Sequence, residues 1–279
     1  VLHSNLAPRR RSAARLFPSS RGILVATALL VAVAPAAAQD LEDFSLFGDR
    51  ELTLGRFARV RSGDVGVNRS NDVGLVVGEN VLVEDGCAVV GGEVDIRKRA
   101  SVDDVATDQL TAAPNATIRG DVSSLGLARD AALIALPPLP AVQPGNQDVA
   151  IPPDGSRELS PGAYGNVLIG RRGTLILTGG VYELRRLTLR SGASIRALAP
   201  VEVRIATAFR VGPQSFIGPM PGSGLGTEDI SFQVAAPRVS YGPKSRLIGE
   251  FYSPRARVSV HDLFTLDGRI IGDRVRTRP

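Results

Sequence analysis

The chain has 279 residues, with 33 Lys and Arg against 28 Asp and Glu, two His, one Cys and no Trp. Arg9, Arg10, Arg11, Arg15 and Arg21 precede Ala38 with no acid among them, so everything after Ala38 is formally neutral. The whole-chain excess is therefore not a nucleic-acid footprint. A single Cys excludes an internal disulfide, and His261 and Cys87, far apart, exclude the common zinc spacings.

The Arg-rich lead runs into an apolar stretch over residues 22–34 and then Ala36-Ala37-Ala38. That is the pattern of a signal peptide, residues 1–38, cleaved after Ala38. About thirteen apolar residues fall short of the roughly 20 that span a membrane. The expectation is an exported chain, periplasmic, cell-surface or extracellular, with no transmembrane segment once the leader is removed. An uncleaved anchor is the competing reading.

Residues 39–136 read as an N-terminal solenoid half. Leu52-Thr53-Leu54-Gly55, Leu75-Val76-Val77-Gly78 and Val94-Asp95-Ile96 alternate apolar residues between Gly, Asn and Asp, as short strands joined by turns do. Val102, Val105 and Leu110 fit a helical turn or two, and residues 125–136 a short capping helix. Prolines 137, 138, 140, 144, 152 and 153 mark a Pro-rich seam over 137–158. Without ladder donors it should run extended along the outside, between two solenoid halves or as a stiff spacer between independent domains.

Residues 159–279 carry the clearest pattern. Val239-Ser240 recurs as Val258-Ser259, Leu247 as Leu266, Gly249 as Gly268 and Arg257 as Arg276, always nineteen residues on. Upstream, Leu187-Thr188-Leu189 follows Val167-Leu168-Ile169 by twenty, and Phe209-Arg210-Val211 follows by twenty-two. One such unit cannot bury its apolar face alone, so units must stack. The prediction is an all-β fold, a β-solenoid (β-helix) with coils of about 19–22 residues. Val239, Tyr241, Val258 and Val260 should point inward, and Gly218 to Gly226 should be a loop thrown out from one corner.

Three segments carry a resemblance. Leu159-Ser160-Pro161-Gly162-Ala163-Tyr164-Gly165, Thr178-Gly179-Gly180-Val181-Tyr182 and Tyr252-Ser253-Pro254-Arg255-Ala256 resemble coils of exported bacterial β-solenoid proteins of mostly unassigned function. The N-terminal half is similar to bactofilin-like polymer-forming coils, and the Pro-Gly-x-Tyr opening to ice-binding β-solenoids. The resemblance implies a fold, because its motifs are turn and core residues. Outward arginines stand where an ice-binding face needs small polar residues.

No catalytic set emerges. His261 beside Asp262 fits an acid–base pair on paper, but a turn suits it better. Asp103, Asp104 and Asp108, Glu228 and Asp229, and Asp262, Asp267 and Asp273 are the acids a polysaccharide-cleaving β-helix would use; solvated turn acids are the simpler reading. No metal site and no cofactor are expected. The arginines are the best surface signal: Arg238, Arg257 and Arg276 at nineteen-residue steps, with Arg255 and Arg274 as a second pair. Stacked like charges repel unless an anion lies between them, or they simply guard an edge. The expected protein is a non-enzymatic surface or envelope component that binds an anionic polysaccharide or envelope polymer and no nucleic acid. A carbohydrate-active enzyme and an ice-binding protein are the alternatives.

Overall fold

Alternating Val, Ile and Leu, punctuated by Gly and Pro, bury one side of each short strand and leave its backbone edges to pair with the coil before and after. The computed structural model describes residues 40–69, 74–127 and 131–278. It is a parallel β-solenoid of about eleven turns. Each coil has three sides, and a long strand such as Arg246–Val260 or Thr265–Thr277 bends round all three. Val239, Tyr241, Val258 and Val260 are buried, and Val239 pairs with Val258 and Tyr241 with Val260 on adjacent coils. Leu247 pairs with Leu266 and Gly249 with Gly268. The repeated glycine has a steric cause: a Cβ on Gly268 would lie 2.2 Å from the Gly249 carbonyl oxygen.

Coil length is looser than 19–22. Val89 pairs with Val105 sixteen residues on, and Val65 with Val89 twenty-four on. Phe209 pairs with Val239 thirty residues on, because residues 220–229 form the expected outward loop between Phe216–Pro219 and Ile230–Val234. Among the described residues there is no α-helix, only a 3-10 turn at Leu41–Asp43. Val102, Val105 and Leu110 lie in the strands Ser101–Val102, Asp104–Ala106 and Gln109–Ala112, so the helical turns expected there are strands. Val102 and Val105 supply inward residues to two different sides of one coil, which happens to space them like a helix face.

The two halves do not meet at the Pro-rich segment. The first strand, Phe44–Leu54, pairs on one side with the last strand, Thr265–Thr277 (Leu46 with Ile270, Leu52 with Val275). On its other side it pairs with Asp64–Val67 and Leu75–Val77. The N-terminal coils therefore continue the stack where the C-terminal coils stop. The C-terminal half itself starts earlier than residue 159, with Val149–Ile151 and Ser156–Leu159.

The chain between Ser123 and Val149 must then pass from one end of the molecule to the other, and its described parts, residues 124–127 and 131–148, lie as a strap along one face. The row beneath runs Ser123, Ala106, Val90, Gly66, Phe47, Ile271, Tyr252, Gln233, Arg204, Glu183, Ala163. Ten strand spacings come to roughly 50 Å, within the roughly 80 Å reach of 25 extended residues. Leu125, Leu133, Ile134 and Leu136 pack on Phe44, Phe47, Val90 and Ile271, which explains large apolar residues on the outside of a coil. Asn68, part of an Asn-x-Ser triplet, accepts the Leu133 N–H on its carbonyl (2.8 Å) and the Ile134 N–H on its side chain (2.7 Å). Tyr252 donates its hydroxyl to the Pro137 carbonyl, and the Arg185 guanidinium donates to Asn146 Oδ1 at 3.0 Å. The capping helix expected over 125–136 is thus not helical in its described part. Residues 1–38, where the signal peptide is expected, lie outside the described residues.

Candidate functional site

The second face carries its outward side chains in parallel rows. One row runs Asn166, Arg186, Ala208, Arg238, Arg257, Arg274, Glu51, the last four linked pair by pair in register. The next runs Leu168, Thr188, Arg210, Ser240, Ser259, Arg276, Thr53. The inward neighbours of these residues, Leu187, Phe209, Val239 and Val258, hold the backbone in place from the core.

Over the C-terminal coils this face forms an open groove of about 1320 Å³. Arg186, Arg238 and Arg257 line it from the first row and Arg210 from the second; Arg171, Arg190, Arg278 and His261 line it as well. No Asp or Glu among the described residues lines it. Among the described residues none of these seven arginines has an ion-pair partner. Most arginines elsewhere sit on acids, among them Arg246 on Asp267 (2.5 Å), Arg172 on Asp154 (2.6 Å), Arg59 on Glu84 (2.7 Å) and Arg269 on Glu250. Two like charges at strand spacing repel by on the order of 1 kcal/mol even in water. A collected set of this kind is a standing attraction for an anion.

The five arginines expected from the repeat are divided by the structure. Arg238 and Arg257 are register neighbours in the groove. The third position beside Arg257 belongs to Arg274, and Arg276 faces Ser259 instead. A register shift between Ser253 and Arg257 shortens that step to seventeen residues, which breaks the nineteen-residue ladder. Arg274 and Arg276 are both held by Glu51, at 3.7 and 2.9 Å. Arg255 is exposed on the shifted stretch and does not line the groove. Arg171, Arg186, Arg190, Arg210 and Arg278 escape a fixed-period search because their coils step by twenty, twenty-two, thirty and, at Arg278, seventeen. The signal that finds four of the groove arginines is local: Arg186, Arg210, Arg238 and Arg257 each stand immediately before an inward apolar residue.

The acids have structural work. Asp103 accepts the Gly86 N–H at 2.6 Å and Asp104 the Asp121 N–H at 2.8 Å, each tying one coil to another. Asp108 accepts from the Ser124 hydroxyl and the Gly126 and Leu127 N–H groups at 2.7–3.0 Å. Burial works against its charge, but those donors outweigh burial and hold the carboxyl below its usual value. Asp229 caps Gly226, and the buried Asp267 and Asp273 pair with Arg246 and Arg50. His261 lines the groove, its backbone N–H donated to the Tyr241 carbonyl. The buried Cys87 thiol is pushed up to about 12 by burial and by nearby Asp64, Glu84 and Asp103, which removes it as a nucleophile. Among the described residues no three of His, Cys, Asp and Glu gather as a metal site would require. The third face runs Thr174, Ser194, Phe216, Arg246, Thr265, with no regular lattice of Thr or Ser. No helix among the described residues is long and apolar enough to cross a membrane. No family model, no curated protein and no solved structure matches the chain.

Proposed function

We propose that this protein is an exported, non-enzymatic solenoid of the cell envelope or surface that holds an anionic polysaccharide or related envelope polymer along its arginine face. The observation that carries the reading is the segregation of charge: among the described residues, seven arginines without ion-pair partners share one groove with no Asp or Glu, while most arginines elsewhere sit on carboxylates.

The chemistry of the groove favours a sugar polymer. Guanidinium forks take carboxylate, sulfate or phosphate oxygens two at a time. Thr188, Ser240 and Ser259 stand between the arginine positions and offer hydroxyls to sugar hydroxyls. No Trp or Tyr and only the buried Phe209 among the described Phe residues lines the groove, which leaves His261 as its one part-exposed ring and gives successive bases no row of stacking platforms. Asp103, Asp104, Asp267 and Asp273, acids that a lyase or glycosidase could have used, are committed to coil ties and ion pairs. The Arg-rich leader and its Ala36-Ala37-Ala38 supply the case for export.

The test is co-sedimentation of the purified protein with alginate and with pectate at low and high salt, followed by assay of the polymer for new reducing ends and unsaturated products. Binding at low salt, release at high salt and an intact polymer are expected. Absence of binding at low salt, or cleavage of the polymer, overturns the proposal.

A further inference from the structure

The coils set the spacing of the groove arginines. Leu187, Phe209, Val239 and Val258 are inward register partners on four successive coils. Arg186, Arg238 and Arg257 each precede one of them, and on the remaining coil Ala208 takes that place while Arg210 follows Phe209. Each of the four coils thus brings one arginine to the first two outward rows. The coil before them carries Asn166 and Leu168 there, and the coil after them carries Arg274 and Arg276, both held by Glu51. Strands stack at roughly 4.8 Å, so the free cations advance along the axis by one strand spacing each.

The other positions of those rows are Thr188, Ser240 and Ser259, one hydroxyl on each coil except that of Arg210. Arg210 itself is flanked on its strand by Ala208 and Gly212, small residues that leave the lane open on both sides of it.

A cation at every step calls for an anion at every step. An arginine opposite an uncharged unit keeps the repulsion of its neighbours and gains no partner. In a 1,4-linked pyranose chain each sugar advances the polymer by close to one strand spacing. A chain with an acid on every sugar therefore presents its charges at the interval of the coils, whereas an acid on alternate sugars leaves every second arginine unanswered. A phosphodiester polymer has a longer repeat with free torsions, and ordering it offsets more of the gain.

Resting on the reading of the groove as a polyanion site, we infer that its ligand is a polyuronate lying parallel to the solenoid axis, one carboxylate to each coil. The guanidinium forks take the carboxylates, and Thr188, Ser240 and Ser259 meet the sugar hydroxyls between them.

Titration calorimetry at low salt tests this with oligogalacturonates of increasing length, hyaluronan oligomers of equal carboxylate number and poly(glycerol phosphate). Affinity for oligogalacturonate should climb steeply up to the tetramer, one sugar for each of the four coils, and little beyond it. Hyaluronan oligomers should bind roughly fivefold more weakly or worse. Thr188→Arg combined with Arg238→Gln keeps the charge of the groove but gives one coil two arginines in these rows and another none. Both side chains face outward, so the melting temperature should hold while affinity for the tetramer falls about fivefold. Equal affinity for the two sugar polymers at matched carboxylate number, tighter binding of poly(glycerol phosphate), or a rearranged variant that binds like the parent overturns the inference and leaves the polyanion reading in place. No binding of any of the three at low salt removes both.

Discussion

The Arg50 guanidinium grips the buried Asp273 carboxylate with two hydrogen bonds, 2.5 and 2.6 Å long, between residues 223 apart in the chain. The pair ties the first strand to the last and marks the joint where the two halves become one stack. Asp273 is 4% exposed, so it cannot turn to water if its partner is removed. Arg50→Ala should destabilise the protein by about 2–3 kcal/mol, less than a wholly buried pair would lose because Arg50 is half in solvent. Chemical denaturation measures this; a midpoint equal to the parent's would mean the joint does not depend on the pair.

Because the halves meet through Leu46, Leu52, Ile270 and Val275, the strap is not what holds them together. A protease site placed at Val142-Gln143 should be cut without separating the pieces, and native mass spectrometry should find both fragments in one particle. Fragments that part on cutting would show that the strap, and not the buried joint, supplies the cohesion.

Tyr241 sits in the stack of Phe209, Phe251 and Phe264 with its hydroxyl buried and unpartnered. Burial pushes its pKa well above the ordinary value. An unsatisfied buried hydroxyl costs about 1–3 kcal/mol, so Tyr241→Phe should raise the melting temperature. A lower melting temperature would mean that the hydroxyl has a partner after all.

Both strap ends rest on carboxylates held below the usual value of 3.8. In Asp108 burial is outweighed by the Ser124 hydroxyl and the strap's N–H groups; in Asp148 the Asn166 N–H and side chain act. A depressed folded value means that the contribution is present above pH 3.8 and is lost as pH falls through the folded value. The amide signals of Gly126, Leu127 and Asn166 should therefore move below pH 3.8, before those of core residues such as Leu187 and Phe209. Simultaneous movement of all of them would place the acid response in the coils instead.

Coil neighbours are legible in the sequence where physical demand is strict. Val239 and Val258 share an inward row, and Gly268 has no room for a Cβ beside Gly249, so both pairs repeat. Outward residues face no such demand. A two-residue change in coil length passes unnoticed on the surface and moves Arg274 into the place that the period assigns to Arg276. The strap is hidden for a different reason. Leu125, Leu133 and Leu136 are apolar because Phe47 and Ile271 lie beneath them, and their spacing reflects that outer surface and no helix. Nothing in a period says which coil follows when the chain leaves the stack, so the joint between first and last strands becomes visible only in three dimensions.

The central claim is that the groove arginines bind a polyanion, and one titration tests it most directly. The parent and a triple variant, Arg186→Gln with Arg238→Gln and Arg257→Gln, are titrated with alginate oligomers at low and at high salt, and their melting temperatures are compared. Exposed ionic contacts are screened beyond about 8–10 Å at physiological ionic strength, so parent binding should weaken steeply with salt. The variant should lose it even at low salt while melting at the parent's temperature or slightly above, since three mutually repelling charges are gone. Equal binding by parent and variant, or no binding by the parent at low salt, would contradict the account.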